Sequence, residues 1–189
     1  MLHHAPETPA QRMLACLEIF AVFPARSDEF TRGRAIAAQL ISPDVAAEET
    51  FAAVHNRNGA GVFVYRQDGL AQGFLGVILL RASGLAKIEA DSFNAVAPDL
   101  DDVCEAGEEP AAVYGWGFAA TTARASGAMV LGLMALRERA GLNVPFFCRA
   151  ATPAGAKVIL GKMGYAPLEG SVTGLLVRYP ETASLEAAA

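Results

Sequence analysis

The sequence predicts one α+β domain, a central mixed and mostly antiparallel sheet flanked by helices. Three observations carry this prediction. The chain has 189 residues, within the range of about 100 to 200 that a single hydrophobic core organises. Hydrophobic residues make up 53% and charged residues 19%, with a mean hydropathy of +0.30, which excludes intrinsic disorder as the main state. Helical periodicity runs through residues 1–60, a β-meander and an acidic loop follow over 61–110, and strand and helix then alternate over 111–179. No internal repeat or low-complexity linker interrupts this order, so residues 1–179 are expected to form one unit and 180–189 a flexible tail.

The elements follow from local chemistry. Thr8-Pro9 reads as an N-cap with proline at the first helical position, and Leu14, Leu17, Phe20 and Phe23 recur near helical spacing up to Pro24. A first helix is expected there, with no clear strand before the meander. A second, over about 29–41, carries Phe30, Ile36, Leu40 and Ile41; Ser42-Pro43 restarts a third, containing Val45, Phe51 and Val54, which Asn58-Gly59 ends. Residues 61–67 (GVFVYRQ) are β-rich, Asp68-Gly69 is a hairpin turn, and 70–81 form a second strand bent at Gly73 or Gly76. A short helix is expected from Ser83, and most of 91–110, with seven acidic residues and no basic one, reads as loop. After a strand at 111–120 come an alanine-rich helix over about 126–141, a strand at 144–150, a helix from Thr152-Pro153 to Met163, and closing strands near 165–168 and 173–179.

Composition also excludes function classes. A net charge of -5, a pI near 5.2 and fifteen dispersed Lys and Arg residues speak against nucleic-acid binding, which needs clustered cations. The longest apolar runs fall far short of the roughly 18 residues that span a bilayer. The N-terminus, with His3 and His4, lacks a basic segment followed by an apolar one, so no signal peptide is read and the cytoplasm is expected. Cys16, Cys104 and Cys148 are odd in number and far apart, with no C-x-x-C and no histidine at ligand spacing, so neither a disulfide framework nor a metal site is expected. Cys148 follows Phe146-Phe147 on a central strand and reads as a small buried residue, since a nucleophile would need a histidine partner. His55, near a helix end, reads as exposed or capping.

The segment that carries chemistry is residues 121–129 (TTARASGAM), between a strand and a helix. A helix N-terminus has unpaired N–H groups and a partial positive charge, so a phosphate can sit there without a lysine, and Gly127 allows close approach. By itself an R-x-x-G turn is also compatible with a purely structural connection. Together with the strand, helix, strand, helix order and the pair Gly164-Tyr165, it resembles the GNAT superfamily of acyl-CoA-dependent N-acyltransferases. Arg124, Ala125, Ser126, Gly127, Ala128 and Met129 match that family's pyrophosphate loop [QR]-x-x-G-x-[GA], and residues 156–165 (AKVILGKMGY) match its L-Y-E-K-x-G-F segment. The match covers about 111–179. The chain departs from the pattern at Met129, where the family has Gly or Ala, at Leu160, where many members carry a proton-donating tyrosine, and at Pro153, where many carry an asparagine.

The resemblance implies acetyl-CoA or another acyl-CoA as cosubstrate, with its pyrophosphate on residues 124–129. It also implies direct acyl transfer to a primary amine of a small molecule or peptide. Backbone N–H groups at Phe118, Ala119 and Ala120 would meet the thioester carbonyl. A non-catalytic CoA-binding or interaction module is the alternative, and a homodimer is left open. Tyr114 is the candidate to replace the tyrosine absent at Leu160. With Trp116 and Phe118 it alternates onto one strand face, either a core face or a stacking wall with the Tyr114 hydroxyl as its polar handle. Glu108 and Glu109 lie close to where relatives place a base, with Glu109 the candidate, and solvated loop carboxylates the other reading. The acidic stretch of Asp91, Asp99, Asp101, Asp102, Glu105, Glu108 and Glu109 would either steer a cationic amine or form a solvated loop.

Overall fold

Residues 7–180 are described by a computed structural model; His3, His4 and the tail from 181 onward lie outside the described residues. Thr8 caps α1 (Pro9–Glu18) through a capping box, accepting from Gln11 N at 3.3 Å while Gln11 Oε1 accepts from Thr8 N at 2.8 Å. The helix stops six residues short of Pro24. Ala21 takes a positive φ of 56°, the chain turns, and β1 (Val22–Pro24) forms an edge strand. This first strand was not expected: three residues are too short for alternation to show, and proline is tolerated because an edge strand leaves its missing donor unneeded. After α2 (Phe30–Leu40), Ser42 caps no helix; its hydroxyl accepts from Asp44 N at 3.2 Å and closes a turn. Helix α3 (Glu48–Asn58) therefore starts later than Ser42-Pro43 suggests, and Gly59, at φ 76°, ends it.

Asp68 and Gly69, at φ 53° and 77°, form the turn that joins β2 (Val62–Gln67) to β3 (Leu70–Leu80). Helix α4 (Ala82–Glu89) follows directly. The acidic loop has one short 3-10 turn, Leu100–Asp102, and is bound to its surroundings. Lys87 Nζ lies 2.5 Å from the buried Asp102 carboxylate, Arg81 pairs with Glu108 and Glu105, and Arg57 Nε donates to Val103 O at 2.8 Å. Asp99, Asp102, Glu105, Glu108 and Glu109 face cations carried by neighbouring elements, Asp91 accepts from Val172 N and Thr173 N, and the loop acts as a strap.

The second half holds β4 (Ala112–Ala120), α5 (Ala123–Arg139), β5 (Phe146–Arg149), α6 (Pro153–Gly161), β6 (Ala166–Pro167) and β7 (Leu175–Arg178). The sheet order is β1-β2-β3-β4-β5-β7-β6, and only the β4–β5 pair is parallel. One face, bearing Phe63, Leu75, Val77, Val113 and Phe146, packs with α1 and α5, and Cys148 extends it towards α6. On the other face Val62, Phe74, Ile78, Tyr114 and Phe147 meet α2, α3 and α4. The result is one α+β domain with helices on both sides of a mixed sheet. Among the described residues no helix is long and apolar enough to cross a membrane.

Candidate functional site

The parallel pair is short. It runs from Val113↔Phe146 to Gly115↔Cys148, whereas β4 stays paired with β3 as far as Ala120↔Gly73. Past Gly115 the strands part, and residues 116–120 present one edge with no strand partner. A cleft of about 440 Å³ opens there, reaching both faces of the sheet. The divergence has a local cause: Val77 pairs with Gly115 and Gly76 with Gly117, so Trp116 is an extra residue, a β-bulge. Trp116 Nε1 donates to Ala95 O at 2.6 Å, and its ring meets Phe51 edge-on at 4.6 Å, which holds the bend.

The bulge corrects one expectation. Tyr114 and Trp116 share the α2–α4 face, but the extra residue inverts the alternation, and Phe118 packs on the opposite side with Leu133, Met163 and Tyr165. The three aromatics do not form one wall.

Because β4 and β5 run parallel, α5 and α6 both begin at the open end of the cleft. Thr122 accepts from Ala125 N at 3.2 Å and Thr152 from Gly155 N at 3.0 Å. The first-turn N–H groups of Ala123, Arg124 and Ala154 precede the first intrahelical bonds and have no partner within their helices. Two helix dipoles thus place partial positive charge at one opening, suited to an anion.

Residues 124–129 are not a loop, as expected, but the first turns of α5, which starts at Ala123. Ser126 N already bonds Thr122 O at 2.9 Å, and the N–H groups of Gly127, Ala128 and Met129 belong to the helical ladder. Ser126 lines the cleft with Phe118, Ala119 and Ala120. Arg124 is exposed and makes no hydrogen bond or ion pair with the described residues through its side chain. Ala125 and Met129 are fully buried; a Cβ on Gly73 would stand 2.8 Å from Met129 Cε, so this methionine fills core space that the strand glycine vacates. Leu160 is exposed and does not line the cleft, whereas its neighbours Val158 and Ile159 do.

Of the two proposed catalytic residues, the structure brings one to the cleft. Tyr114 is 4% exposed and lines it, its ring 5.2 Å from that of Phe93. Its hydroxyl bonds to no described residue, and among the described residues no buried side-chain oxygen is left without a partner, so the hydroxyl of this cleft-lining residue keeps some accessible surface. Burial raises its pKa, which keeps the phenol protonated at neutral pH. Glu109 lies before β4, at the end away from the divergence, in a bidentate pair with Arg12 of α1 (3.0 and 2.8 Å), and does not line the cleft. Glu108 is paired with Arg81.

The cleft also holds residues that the sequence did not single out for this role: Arg149, Thr152, Gly155 and Tyr165, with Cys148 between the two tyrosine-bearing walls. Burial pushes the Cys148 thiol up to about 12 and raises the Tyr165 phenol as well, so neither is ionised at neutral pH. Cys148, Arg149, Thr152 and Gly155 share one signal, position at or just after the C-terminal end of a parallel strand, where open α/β sheets bind ligands, whereas Tyr165 follows α6. His55 is neither exposed nor a cap: its Nδ1 accepts from Val62 N at 3.1 Å, and it sits edge-on to Phe30. Among the described residues no group of three or more His, Cys, Asp or Glu could hold a metal ion.

No family model matches the chain, and no curated protein matches it significantly. Solved structures do. The GphF GNAT-like decarboxylase in complex with isobutyryl-CoA is similar with a TM-score of 0.50 at 15% identity, over 80% of each chain. The histone acetyltransferase HPA2 and related acetyltransferase from Corynebacterium glutamicum gives 0.46 at 15% identity, over 85% of this chain and 96% of that one. With its single parallel pair parting beside two helix N-termini, and its likeness to the first of these structures, the chain has the GNAT fold.

Proposed function

We propose that the chain binds an acyl-CoA thioester in the cleft and passes the acyl group directly to a primary amine. The observation that carries this reading is the parting of β4 from β5 beyond Gly115↔Cys148, which turns an unpaired strand edge towards the N-termini of α5 and α6. The first-turn N–H groups and the unengaged Arg124 suit the phosphates of CoA, and the open edge at 116–120 suits its amide-bearing arm. Edge N–H groups among Phe118, Ala119 and Ala120 are the donors proposed for the thioester carbonyl, whose oxygen gains charge as the amine attacks.

The cleft lining contains no Asp, Glu, His or Lys. The acceptor amine therefore enters neutral and gives its surplus proton to water. Tyr114, kept protonated by burial, serves as donor to the departing sulfur. The same lack of a base favours a second reading, loss of CO2 from a malonyl-type thioester, which needs a proton donor but no base. Mass spectrometry separates the two: decarboxylation shortens the acyl-CoA without an amine, whereas transfer releases free CoA only with one.

The test begins with binding. Acyl-CoA at 100 times its dissociation constant stabilises the native state by about 2.7 kcal/mol, or roughly 5 to 10 °C in melting temperature for a chain of this size. Acetyl-CoA and isobutyryl-CoA at millimolar concentration, followed by an amine panel read by thiol release, give the expected shift and turnover. No shift with either thioester, together with no calorimetric heat, would end this reading.

A further inference from the structure

Arg149 is the one charged residue among those lining the cleft. It ends β5 one residue past the last pair with β4. Residues alternate along the strand, so its side chain leaves on the face of Phe147 and of its cross-strand partner Leu175, the face that bears Tyr114. This is the side opposite α5 and α6.

The guanidinium is exposed and anchored by one contact: NH2 donates to Thr173 Oγ1 at 2.8 Å. Thr173 is held in turn by Asp91, which accepts from its backbone N at 3.0 Å and from its hydroxyl. Arg149 forms no ion pair with a described residue. Most of its five donors, arranged in a fork that matches a carboxylate, are unspent. Arg12, Arg57, Arg66 and Arg81, by contrast, are each paired with a carboxylate. Around Arg149 the same face of the cleft is uncharged, with Tyr114, Trp116, Leu40 and Ile41.

An anchored, unpaired cation beside an apolar wall selects a ligand that is apolar with one carboxylate. We infer that the acyl acceptor is an α-amino acid with an apolar side chain. Its carboxylate binds Arg149, its side chain lies on Trp116, Leu40 and Ile41, and its amine reaches the thioester where β4 and β5 part. This rests on the acyl-transfer reading above. The step balances: the amine lone pair forms the C–N bond, the C–S bond breaks with its electrons on sulfur, water takes the ammonium proton, and the thiolate regains one from Tyr114 or solvent. A malonyl-type carboxylate would meet the same arginine, but an ion pair stabilises the carboxylate and opposes loss of CO2.

The experiment compares phenylalanine and leucine with their carboxamides as acceptors, in the wild type, Arg149→Gln and Arg149→Lys. The amides have the less basic amines, so the supply of neutral amine favours them, and a preference for the acids cannot come from basicity. The expected result is a preference for the acids of at least tenfold in kcat/KM. Arg149→Gln abolishes it and Arg149→Lys retains part of it, with acyl-CoA affinity unchanged within twofold. Equal use of acid and amide by the wild type, or a preference that survives Arg149→Gln, overturns the inference. Calorimetric titration of acid and amide, with and without CoA, reads the carboxylate site without turnover. Acid-selective binding lost in Arg149→Gln upholds the site even if no acyl-CoA binds, in which case the acyl-transfer reading alone fails; absence of acid-selective binding removes the site.

Discussion

Gly127 separates ligand binding from folding because the two respond in opposite directions. It lies in the second turn of α5, exposed, and a Cβ built on it meets nothing within 4 Å. Gly127→Ala therefore has no steric cost and gains helix propensity of about 0.5 to 1 kcal/mol, or roughly 1 to 4 °C in melting temperature. Gly127→Glu leaves the fold intact, since the position is exposed and open and glutamate is a better helix former than glycine. Towards a bound CoA it acts the other way. One phosphate charge about 6 Å from the new carboxylate is repelled by roughly 0.7 kcal/mol at the dielectric of water and by roughly 2.8 kcal/mol at an effective value near 20. These bounds correspond to about threefold and hundredfold in affinity. The assay is calorimetric titration of acetyl-CoA at low and high salt, with melting measured on the free proteins. The expected pattern is a Gly127→Glu protein that melts no lower than wild type yet binds acetyl-CoA about tenfold more weakly, the loss shrinking as salt screens it. Wild-type affinity in Gly127→Glu would refute the placement of the phosphates at the start of α5.

Tyr114→Phe keeps the ring against Phe93 and removes a hydroxyl bonded to no described residue, so melting stays close to wild type. Turnover is expected to fall at least tenfold, within the range of about 10² to 10⁴ for general acid–base assistance or just below it; unchanged turnover would assign Tyr114 to packing alone. His55 gives a pH prediction. Burial lowers its pKa below the usual value, and only the neutral ring can accept from Val62 N. The unfolded chain therefore protonates first, so stability is full above about pH 6.5 and is lost as pH falls through the depressed folded value. In His55→Gln the drop in melting temperature between pH 7 and pH 5 is expected to be smaller than in wild type, and an identical drop would show that other groups cause it.

What the sequence determined by itself is what neighbouring residues decide among themselves. Thr8-Pro9, Asp68-Gly69, Asn58-Gly59 and Thr152-Pro153 act through caps and turns that close within a few residues, and each stands where its spacing implies. The hydrophobic periods of α2, β2, β3 and β4 need only a core to face, and the order of elements over 111–179 is sufficient to suggest the fold. Tertiary structure decided the rest, because it depends on partners distant in the chain. Val22–Pro24 becomes a strand by pairing with residues 63–65 across the edge of the sheet. Trp116 becomes a bulge because β3 and β4 lose register there, which reverses Phe118 and parts β4 from β5. Glu109, close to Tyr114 in sequence, is drawn to Arg12, 97 residues away. Arg149, on a strand read only for its buried cysteine, is the one charged residue lining the cleft, because the fold brings none of the described acids to its lining. Local chemistry selects elements; which side chain faces an opening is set by register, a sum over contacts that no short stretch of sequence contains.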